Sequence, residues 1–230
     1  MVPNPGDLQL DRVRDVFDEW AQQGRAESMA TSHTPFAHRA FRRLALTEQA
    51  WYLDIGCGNG YTVRWAASAA PRGRAVGIDL SPQMIARART LSRDYRNVEF
   101  HVTSFPHHSL PAGRFDAVFS MEVFYYLPDM RAALEETRRL LKPGGRFTCA
   151  VDYYGENVAS HGWPSDLGVP MHLLDAAGWQ RAFADAGFVS IAQERIRLDP
   201  KETSDAWKTV EGSLLTIGRR PPGDTTGEKR

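Results

Sequence analysis

The chain has 230 residues, 42% of them hydrophobic, which is enough for one domain with a sizeable core and little more. Its 28 basic and 28 acidic residues give a formal net charge of zero and are spread along the chain, which disfavours a nucleic-acid substrate. No stretch approaches the roughly 20 apolar residues of a membrane span, and residues 1–11 contain no signal-peptide core, so we expect a cytoplasmic protein.

Two helices are predicted at the start of the chain. The first runs over about 7–23, where apolar residues recur at helical intervals. These residues are Leu8, Val13, Val16, Phe17 and Trp20. The second is predicted over about 34–46. Because ligands of open α/β sheets bind beyond the carboxyl ends of the strands, we interpret residues 1–46 as a helical cap over the binding site.

An apolar strand runs into a glycine-rich turn at residues 53–60, and a helix is predicted to follow. Gly56 and Gly58 would give the backbone dihedral angles closed to other residues and let a ligand approach the main chain. Tyr61 stands where the pyrophosphate-binding pattern Gly-x-Gly-x-x-Gly has its third glycine. The turn therefore indicates a nucleotide-type cofactor, with a dinucleotide not the first choice.

A second apolar strand, at about 75–80, ends in an acidic residue. Asp79 follows the glycine turn by about 20 residues, the spacing of a carboxylate that accepts hydrogen bonds from ribose hydroxyls. Ser81 then supplies a helix N-cap and Pro82 a first helical residue, and Met84 begins an apolar stripe at helical spacing. Two consecutive strand–helix units are thus predicted.

The rest of the chain continues this alternation. Strands are predicted to end near Val102, Met121 and Asp152, with a helix from about Asp129. A further helix is predicted between Asp175 and Gly187, followed by apolar segments at 188–198 and 213–219. The pattern is typical of a doubly wound parallel α/β sheet. Residues 220–230, rich in proline, glycine and charge, are predicted to be disordered.

The motifs in this order resemble those of the class I S-adenosylmethionine-dependent methyltransferases, above all the small-molecule enzymes that include those of quinone biosynthesis. The resemblance covers about residues 50–150: the glycine turn with Asp54, then segments 77–81, 115–118, 120–122 and 141–145. It implies a Rossmann-like, mostly parallel, seven-stranded sheet over 47–219, closed by an antiparallel C-terminal hairpin. It also implies S-adenosylmethionine as cofactor and S-adenosylhomocysteine as product.

The resemblance implies a set of cofactor-binding residues. They are Asp54, Gly56, Cys57, Gly58, Gly60, Asp79, Leu80, Met84, Ser104, Phe105, Ser120 and Met121. Asp54 and the glycine turn would hold the methionine part, Asp79 the ribose, and Leu80 and Met84 the adenine face. Ser120 and Met121 would border the sulfonium.

One position departs from the family. The family often has an acid after the third strand that meets the adenine amino group, and this chain has Thr103-Ser104-Phe105 there. Ser104 can accept a hydrogen bond and Phe105 can stack on the base, so the contact is expected in a different form.

Acceptor specificity is expected outside this scaffold. The segment 153–174 is long for a connection between a strand and a helix, and such loops often cover binding sites. It contains aromatic, histidine and carboxamide side chains, so we interpret it as a candidate lid. The alternative is a surface loop whose aromatic residues pack on the sheet.

Three residues are candidates for the catalytic step. His161 and His33 are each either a general base, because histidine titrates near neutral pH, or a structural hydrogen-bonding residue. Tyr126, with Tyr125, follows the fourth strand and either contacts the acceptor or packs under the first helix. Glu122 lies in the same turn, and either faces the pocket mouth or solvent, or pairs with an arginine.

Metal and disulfide sites are not expected. Cys57 and Cys149 suit small buried positions better than a bridge. His107 and His108 are adjacent, but no cysteine or acid accompanies them at ligand spacing, so a solvated loop is the better interpretation.

The sequence thus predicts a methyltransferase that acts on a small molecule at oxygen or nitrogen rather than carbon. The alternatives are a methyltransferase of protein or RNA and a non-catalytic module that binds the cofactor. The sequence leaves open whether the chain is a monomer or a homodimer.

Overall fold

The computed structural model describes residues 5–223, except for the side chains of Ala26 and Met29. The helices are α1 (Pro5–Gln22), α2 (Arg25–Arg42), α3 (Tyr61–Ala69), α4 (Pro82–Leu91), α5 (Met130–Leu140), α6 (Trp163–Leu167), α7 (Ala176–Asp185) and α8 (Ala206–Val210). The strands are β1 (Trp51–Ile55), β2 (Arg74–Asp79), β3 (Val98–Val102), β4 (Phe115–Met121), β5 (Leu141–Val151), β6 (Val189–Ile196) and β7 (Ser213–Arg219). Short 3-10 turns lie at Phe124–Tyr126 and Val158–Ser160.

The strands form one seven-stranded sheet in the order β3-β2-β1-β4-β5-β7-β6. The first five strands in that order are parallel, and β7 runs antiparallel to both β5 and β6. The Rossmann-like sheet and its antiparallel C-terminal hairpin are therefore confirmed. The strand order reverses between β1 and β4, and ligands of open α/β sheets bind at such a switch point, beyond the carboxyl ends of the strands.

Helices cover both faces of the sheet and create two apolar layers. The first is built around Phe115, Phe147, Trp179 and Phe183, and the second around Phe36 and residues of β1, α3 and β4. Because both faces are covered, the central strands are almost continuously apolar, as β1 and β4 are in the sequence.

The predicted helix caps are present. The Ser81 hydroxyl accepts a 2.9 Å hydrogen bond from the N–H of Met84, and Pro82 occupies the first turn of α4. Asp129 caps α5 at 2.9 Å and Asp175 caps α7 at 2.6 Å. Each side chain satisfies a backbone donor that the first turn leaves unpaired, which fixes where these helices begin.

The second helix differs from its prediction: it spans Arg25–Arg42 instead of 34–46. Gly24, with φ of 74°, separates it from α1. Thr34 followed by Pro35 has the composition of a helix start. Pro35 instead lies inside α2, and the Thr34 hydroxyl donates to the carbonyl of Ala30.

The prediction of a disordered tail is wrong at its first residue. Arg220 is fully buried, its N–H donates to the carbonyl of Gly145 at 3.0 Å, and its guanidinium donates to the carbonyl of Leu141 at 2.6 Å. The last strand is therefore anchored beneath the start of β5. Residues 224–230 lie outside the described part of the chain. Between residues 5 and 223, no helix has the length and apolar character needed to cross a bilayer.

Candidate active site

A cavity lies at the switch point, beyond the carboxyl ends of β1, β2 and β4 and beneath α1 and α2. It encloses about 1090 Å³ of space, counting the part open to solvent. The glycine turn and Asp79 line one part of it, and Phe17, His33 and Tyr126 line another. The predicted cofactor region and the predicted cap thus meet in one cavity.

Four backbone N–H groups of the glycine turn are already hydrogen-bonded within the protein. The N–H groups of Gly56 and Cys57 both donate to the carbonyl of Ile78, at 2.8 and 3.0 Å. The N–H of Gly58 donates to Asp79 at 2.8 Å, and that of Gly60 to the carbonyl of Cys57 at 2.9 Å. A pyrophosphate site requires such N–H groups to point at the ligand. The turn therefore fits a cofactor without phosphates better than a dinucleotide.

The glycines also differ in the space around them. Gly56 has φ of 74°, and a Cβ there would lie 2.2 Å from a methyl carbon of Val123. Gly58 has φ of 53°, and a Cβ there would meet no atom within 4 Å. Gly58 lines the cavity, so this open space belongs to the ligand.

Asp79 is fixed by the backbone on both carboxylate oxygens. Oδ2 accepts from the N–H of Gly58, and Oδ1 accepts from the N–H of Ser81 at 2.9 Å. Each oxygen retains capacity for a second hydrogen bond. Burial raises the pKa of Asp79 to about 6. The carboxylate is therefore mostly ionised at neutral pH, and its contact with the ribose stays a prediction.

Asp54 lies at the end of β1 and is buried, and its Oδ2 accepts a short hydrogen bond from the hydroxyl of Thr62. Burial raises the pKa of Asp54 to about 7, with a further contribution from the negative charge of Asp79. Two carboxyl groups without a lysine or arginine in the described cavity wall favour a cationic ligand. S-adenosylmethionine carries a positive sulfonium, so the donor set fits this cofactor.

The expected adenine side is apolar. Leu80, Met84, Thr103 and Phe105 line the cavity, whereas Ser104 is not part of its described wall. One face of Phe105 is already covered by the ring of His108, with ring centroids 5.3 Å apart.

That contact corrects the interpretation for His108, whereas His107 is exposed as expected. The side chain of His108 is only 1% exposed, and its Nε2 lies 3.0 Å from Glu136. Its Nδ1 accepts from the N–H of Leu110 at 2.9 Å. His108 therefore fastens the loop after β3 to α5. Among the described residues, no group of histidine, cysteine or acidic side chains is arranged to hold a metal ion.

Helices α1 and α2 roof the other part of the cavity. Phe17 packs edge-to-face on Tyr126 at 5.7 Å between ring centroids, and Gln9 donates to the carbonyl of Tyr126 at 2.8 Å. The hydroxyl of Ser81 donates to Asp18, which ties α1 to the start of α4. Tyr126 therefore packs under the first helix and also lines the cavity, and its contact with the acceptor stays a prediction.

His33 projects from α2 into this roofed part. Burial, followed by the positive charge of Lys208, lowers the pKa of His33 to about 4. The imidazole is neutral at pH 7 and retains a nitrogen lone pair. The free nitrogen of His33 is thus able to accept a hydrogen bond from a molecule bound in the cavity.

Glu122 neither faces solvent freely nor pairs with an arginine. Its Oε2 accepts from the hydroxyl of Tyr125 at 2.8 Å, and its Oε1 accepts from the N–H of Asp152 at 2.6 Å. Burial raises the pKa of Glu122 well above its usual value, and the charge of Asp152 adds to the shift. Its φ of 60° is in the left-handed region, which is uncommon for a residue other than glycine.

Several predicted site residues lie outside the described cavity wall. These are Gly60, Ser104, Ser120 and His161. The Ser120 hydroxyl donates to the carbonyl of Ile55 at 2.8 Å between β4 and β1, and Gly60 caps α3. His161 is exposed, and its ring nitrogen lies 3.0 Å from the carbonyl oxygen of Gly155.

The segment 153–174 packs next to the cavity without lining it. None of its described residues belongs to the wall. Tyr153 stacks on Trp163 at 6.3 Å, and the N–H of His172 donates to the carbonyl of Tyr125 at 2.8 Å. The segment thus supports the turn that carries Tyr125, and its role as a lid stays a prediction.

The sequence interpretation missed other residues of the wall. Tyr61 and Thr62, at the start of α3, line the cavity, and the Tyr61 hydroxyl lies 4.0 Å from the sulfur of Met121. Their place at the first turn after a glycine-rich loop is a signal, because ligands meet the N-terminus of that helix. Leu10 and Val13 also line the cavity. Their apolar spacing indicates burial, but not what they are buried against.

Comparisons with known proteins agree with this geometry. The family described as Methyltransferase domain matches residues 53–149, the part of the chain that carries the glycine turn, β2 and β4. The chain is also similar to the methyltransferase of a solved complex with the Trm112 methyltransferase activator of Haloferax volcanii. The two are 36% identical, with 89% of this chain and 97% of that chain covered and a TM-score of 0.80. The chain therefore belongs to the class I S-adenosylmethionine-dependent methyltransferases, and S-adenosylmethionine is its cofactor.

Curated relatives are more distant and differ in their acceptors. Trans-aconitate 2-methyltransferase of Methylobacterium nodulans is 28% identical over 178 residues, which cover 77% of this chain and 62% of that protein. The 2-methyl-6-phytyl-1,4-hydroquinone methyltransferase of Synechocystis is 28% identical over 157 residues, 59% of this chain and 49% of that protein. The chain thus spans about half to two thirds of the length of these two relatives, and only 28% of the arsenite methyltransferase of Halobacterium salinarum.

Proposed function

We propose that the chain transfers a methyl group from S-adenosylmethionine to a small-molecule acceptor. The observation that carries the proposal is the single cavity in which the glycine turn and Asp79 are continuous with the roofed pocket of Phe17, His33 and Tyr126. Bound at the first part, the cofactor supplies an electrophilic methyl group. An acceptor under the roof would then lie beside that group.

In this proposal the chain mainly binds and orients. Asp79 would accept the ribose hydroxyls, the surface of Gly58 would contact the methionine part, and Leu80 and Met84 would contact adenine. The helices α1 and α2 exclude water from the acceptor pocket. Alignment of two reactants can lower a barrier by several kcal/mol, about 7–11 kcal/mol in the best cases.

The neutral His33 is one candidate for the group that accepts a proton in the cavity. Tyr126 is a candidate for a hydrogen bond to the oxygen or nitrogen of the small molecule that receives the methyl group. Both line the roofed part, which supports these assignments over the exposed His161. A base is needed only where the acceptor must lose a proton.

The experiment that tests the proposal begins with calorimetric titration of the purified protein with S-adenosylmethionine, S-adenosylhomocysteine and reduced nicotinamide dinucleotide. We expect micromolar binding of the first two and none of the third. Mass spectrometry of acceptor mixtures incubated with methyl-labelled cofactor then detects transfer. Binding of the dinucleotide alone would refute the proposal, and cofactor binding without transfer to any acceptor would favour a non-catalytic module.

A second proposal concerns a partner. The Haloferax volcanii relative is part of a complex with a methyltransferase activator, and this chain is similar to it over nearly its whole length. We propose that this chain binds an activator of the same type. Co-expression with such an activator and size-exclusion chromatography test this, and separate elution of the two proteins would contradict it.

A further inference from the structure

The roofed part of the cavity contains acids but no cation in its described wall. Apart from the phenol of Tyr126, its titratable groups are His33 and the acid Glu122, and the acids of the adjoining cofactor part are Asp54 and Asp79. Lys208 is close enough to lower the pKa of His33. It is not part of the wall, and its Nζ is paired with Asp205 at 2.8 Å. An anionic acceptor would be buried beside carboxyl groups with no lysine or arginine in the described wall to pair with it, and only the sulfonium of the cofactor would offset its charge, which is unfavourable.

The same part of the cavity is apolar and aromatic. Phe17 and Tyr126 form an edge-to-face pair there, and Val13, Val123 and Leu127 complete the surface around them. Aromatic side chains contact flat rings favourably, either offset or edge-on. The wall therefore fits an aromatic body without charged substituents.

Glu122 is the polar group held most firmly at this point. The N–H of Asp152 and the hydroxyl of Tyr125 each bind one of its oxygens, so the carboxyl group cannot turn. A carboxylate oxygen accepts two hydrogen bonds, so each retains one site for a ligand. Backbone strain of the kind found at Glu122 clusters at functional sites.

Glu122 is also next to the expected methyl group. It directly follows Met121, which is at the end of β4 and in contact with the hydroxyl of Tyr61. A hydroxyl bound to Glu122 would therefore lie within the same pocket as the sulfonium. Burial raises the pKa of Glu122, whereas the hydrogen bonds from Tyr125 and from the N–H of Asp152 favour the ionised carboxylate that is able to accept a proton.

We infer that the acceptor is an uncharged phenol whose hydroxyl donates to Glu122 while its ring packs against the edge-to-face pair of Phe17 and Tyr126. The inference rests on the proposed methyltransferase function. An oxygen lone pair forms the bond to the methyl carbon, and the sulfur–methyl bond breaks with its electron pair returning to sulfur. The hydroxyl proton passes to the Glu122 carboxylate and then to water. The products are the methyl ether, S-adenosylhomocysteine and one proton.

The first test measures charge selectivity on the native chain loaded with S-adenosylhomocysteine. The ligands are matched triples of a phenol, its methyl ether and the corresponding carboxylate, built on benzene, naphthalene and biphenyl. We expect at least one phenol to bind, its carboxylate counterpart to bind at least tenfold more weakly, and the ether to bind at least threefold more weakly. Equal or tighter binding of the carboxylates, or no binding of any phenol, would overturn the inference.

The second test uses Glu122→Gln, which retains the shape of the side chain. We expect kcat for the best phenol to fall at least tenfold, while the Kd for S-adenosylhomocysteine stays within twofold of the native value. Glu135→Gln, the same acid-to-amide change at a half-exposed residue of α5, is the matched control and should leave both quantities unchanged. Undiminished turnover in Glu122→Gln would refute the role of Glu122.

The experiments distinguish failure of the methyltransferase proposal from failure of the acceptor inference. If the native chain does not bind S-adenosylhomocysteine, the methyltransferase proposal itself is wrong, and the acceptor inference falls with it. If the cofactor product binds normally and only the phenol selectivity is missing, the acceptor inference alone is wrong.

Discussion

Replacement of Asp79 by asparagine should separate cofactor binding from folding. Asp79 accepts N–H groups from Gly58 and Ser81, so it has a structural role beside its proposed contact with ribose. If Asp79 contacted only the ribose, Asp79→Ala would abolish cofactor affinity and leave the fold intact. The structure instead predicts that alanine orphans two backbone donors, whereas Asp79→Asn keeps one carbonyl oxygen in place.

The magnitude follows from the hydrogen bonds lost. A hydrogen bond to a charged group contributes about 1.5–3 kcal/mol. In asparagine an NH2 group replaces one accepting oxygen, and the remaining oxygen no longer carries a negative charge. The expected loss of cofactor affinity is about 3 kcal/mol, or roughly 100-fold in Kd. One backbone N–H would face the amide NH2 group, which should cost about 1–3 kcal/mol of stability.

Calorimetric titration with S-adenosylhomocysteine at pH 7.5 measures the affinity, and scanning calorimetry of the unliganded protein measures the stability. Asp175→Asn is the matched control, because Asp175 caps α7 outside the described cavity wall and asparagine is an equally good cap. Its cofactor affinity should equal that of the native chain. A folded Asp79→Asn variant with a Kd within threefold of the native value would refute the ribose assignment.

Three further predictions follow from the same region. Gly56→Ala should fail to fold because its Cβ would overlap the side chain of Val123. Gly58→Ala should fold, at a cost of about 1–2 kcal/mol of stability for its left-handed backbone, but should lose cofactor affinity. Circular dichroism measures the folding of both variants, and calorimetric titration measures their cofactor affinity. Burial raises the pKa of Asp54 to about 7 and of Asp79 to about 6. These two groups take up protons in the folded state between about pH 4 and 7, and together they outweigh the opposite effect of His33, whose pKa is lowered to about 4. The melting temperature of the unliganded protein should rise from pH 7.5 to pH 5.5, and a fall would contradict these shifts. Phe17→Ala should lower the free energy of unfolding by about 2 kcal/mol, measured in urea, and weaken acceptor binding more than cofactor binding.

Elements with a local signal were predicted from the sequence. Ser81 and Pro82 fix the start of α4 by a cap and a dihedral preference, both of which involve only neighbouring residues. The glycine turn is similar, because its positive φ angles require glycine at Gly56 and Gly58 wherever the rest of the chain lies. The alternation of strands and helices then leaves few ways to arrange the sheet.

Features that depend on distant contacts were not predicted. The burial of His108 depends on Glu136 of α5, and that of Arg220 on the carbonyl of Leu141. The roof is a similar case, since the spacing of Val13 and Phe17 shows that one side of α1 is buried but not which surface covers it. Polar side chains and amphipathic helices have many possible partners, and the folded chain selects among them.

The two helices that roof the cavity precede the sheet in the chain and add no strand to it. The roofed part of the cavity therefore combines residues 5–42, such as Phe17 and His33, with residues that follow β4, such as Tyr126, whereas the glycine turn and Asp79 lie wholly after residue 50. Substitutions in the first stretch can reshape the acceptor pocket while the glycine turn and Asp79 stay as they are. Such a division allows acceptor preference to diverge between related chains without loss of the shared cofactor, and it makes exchange of the N-terminal helices a direct route to new acceptors.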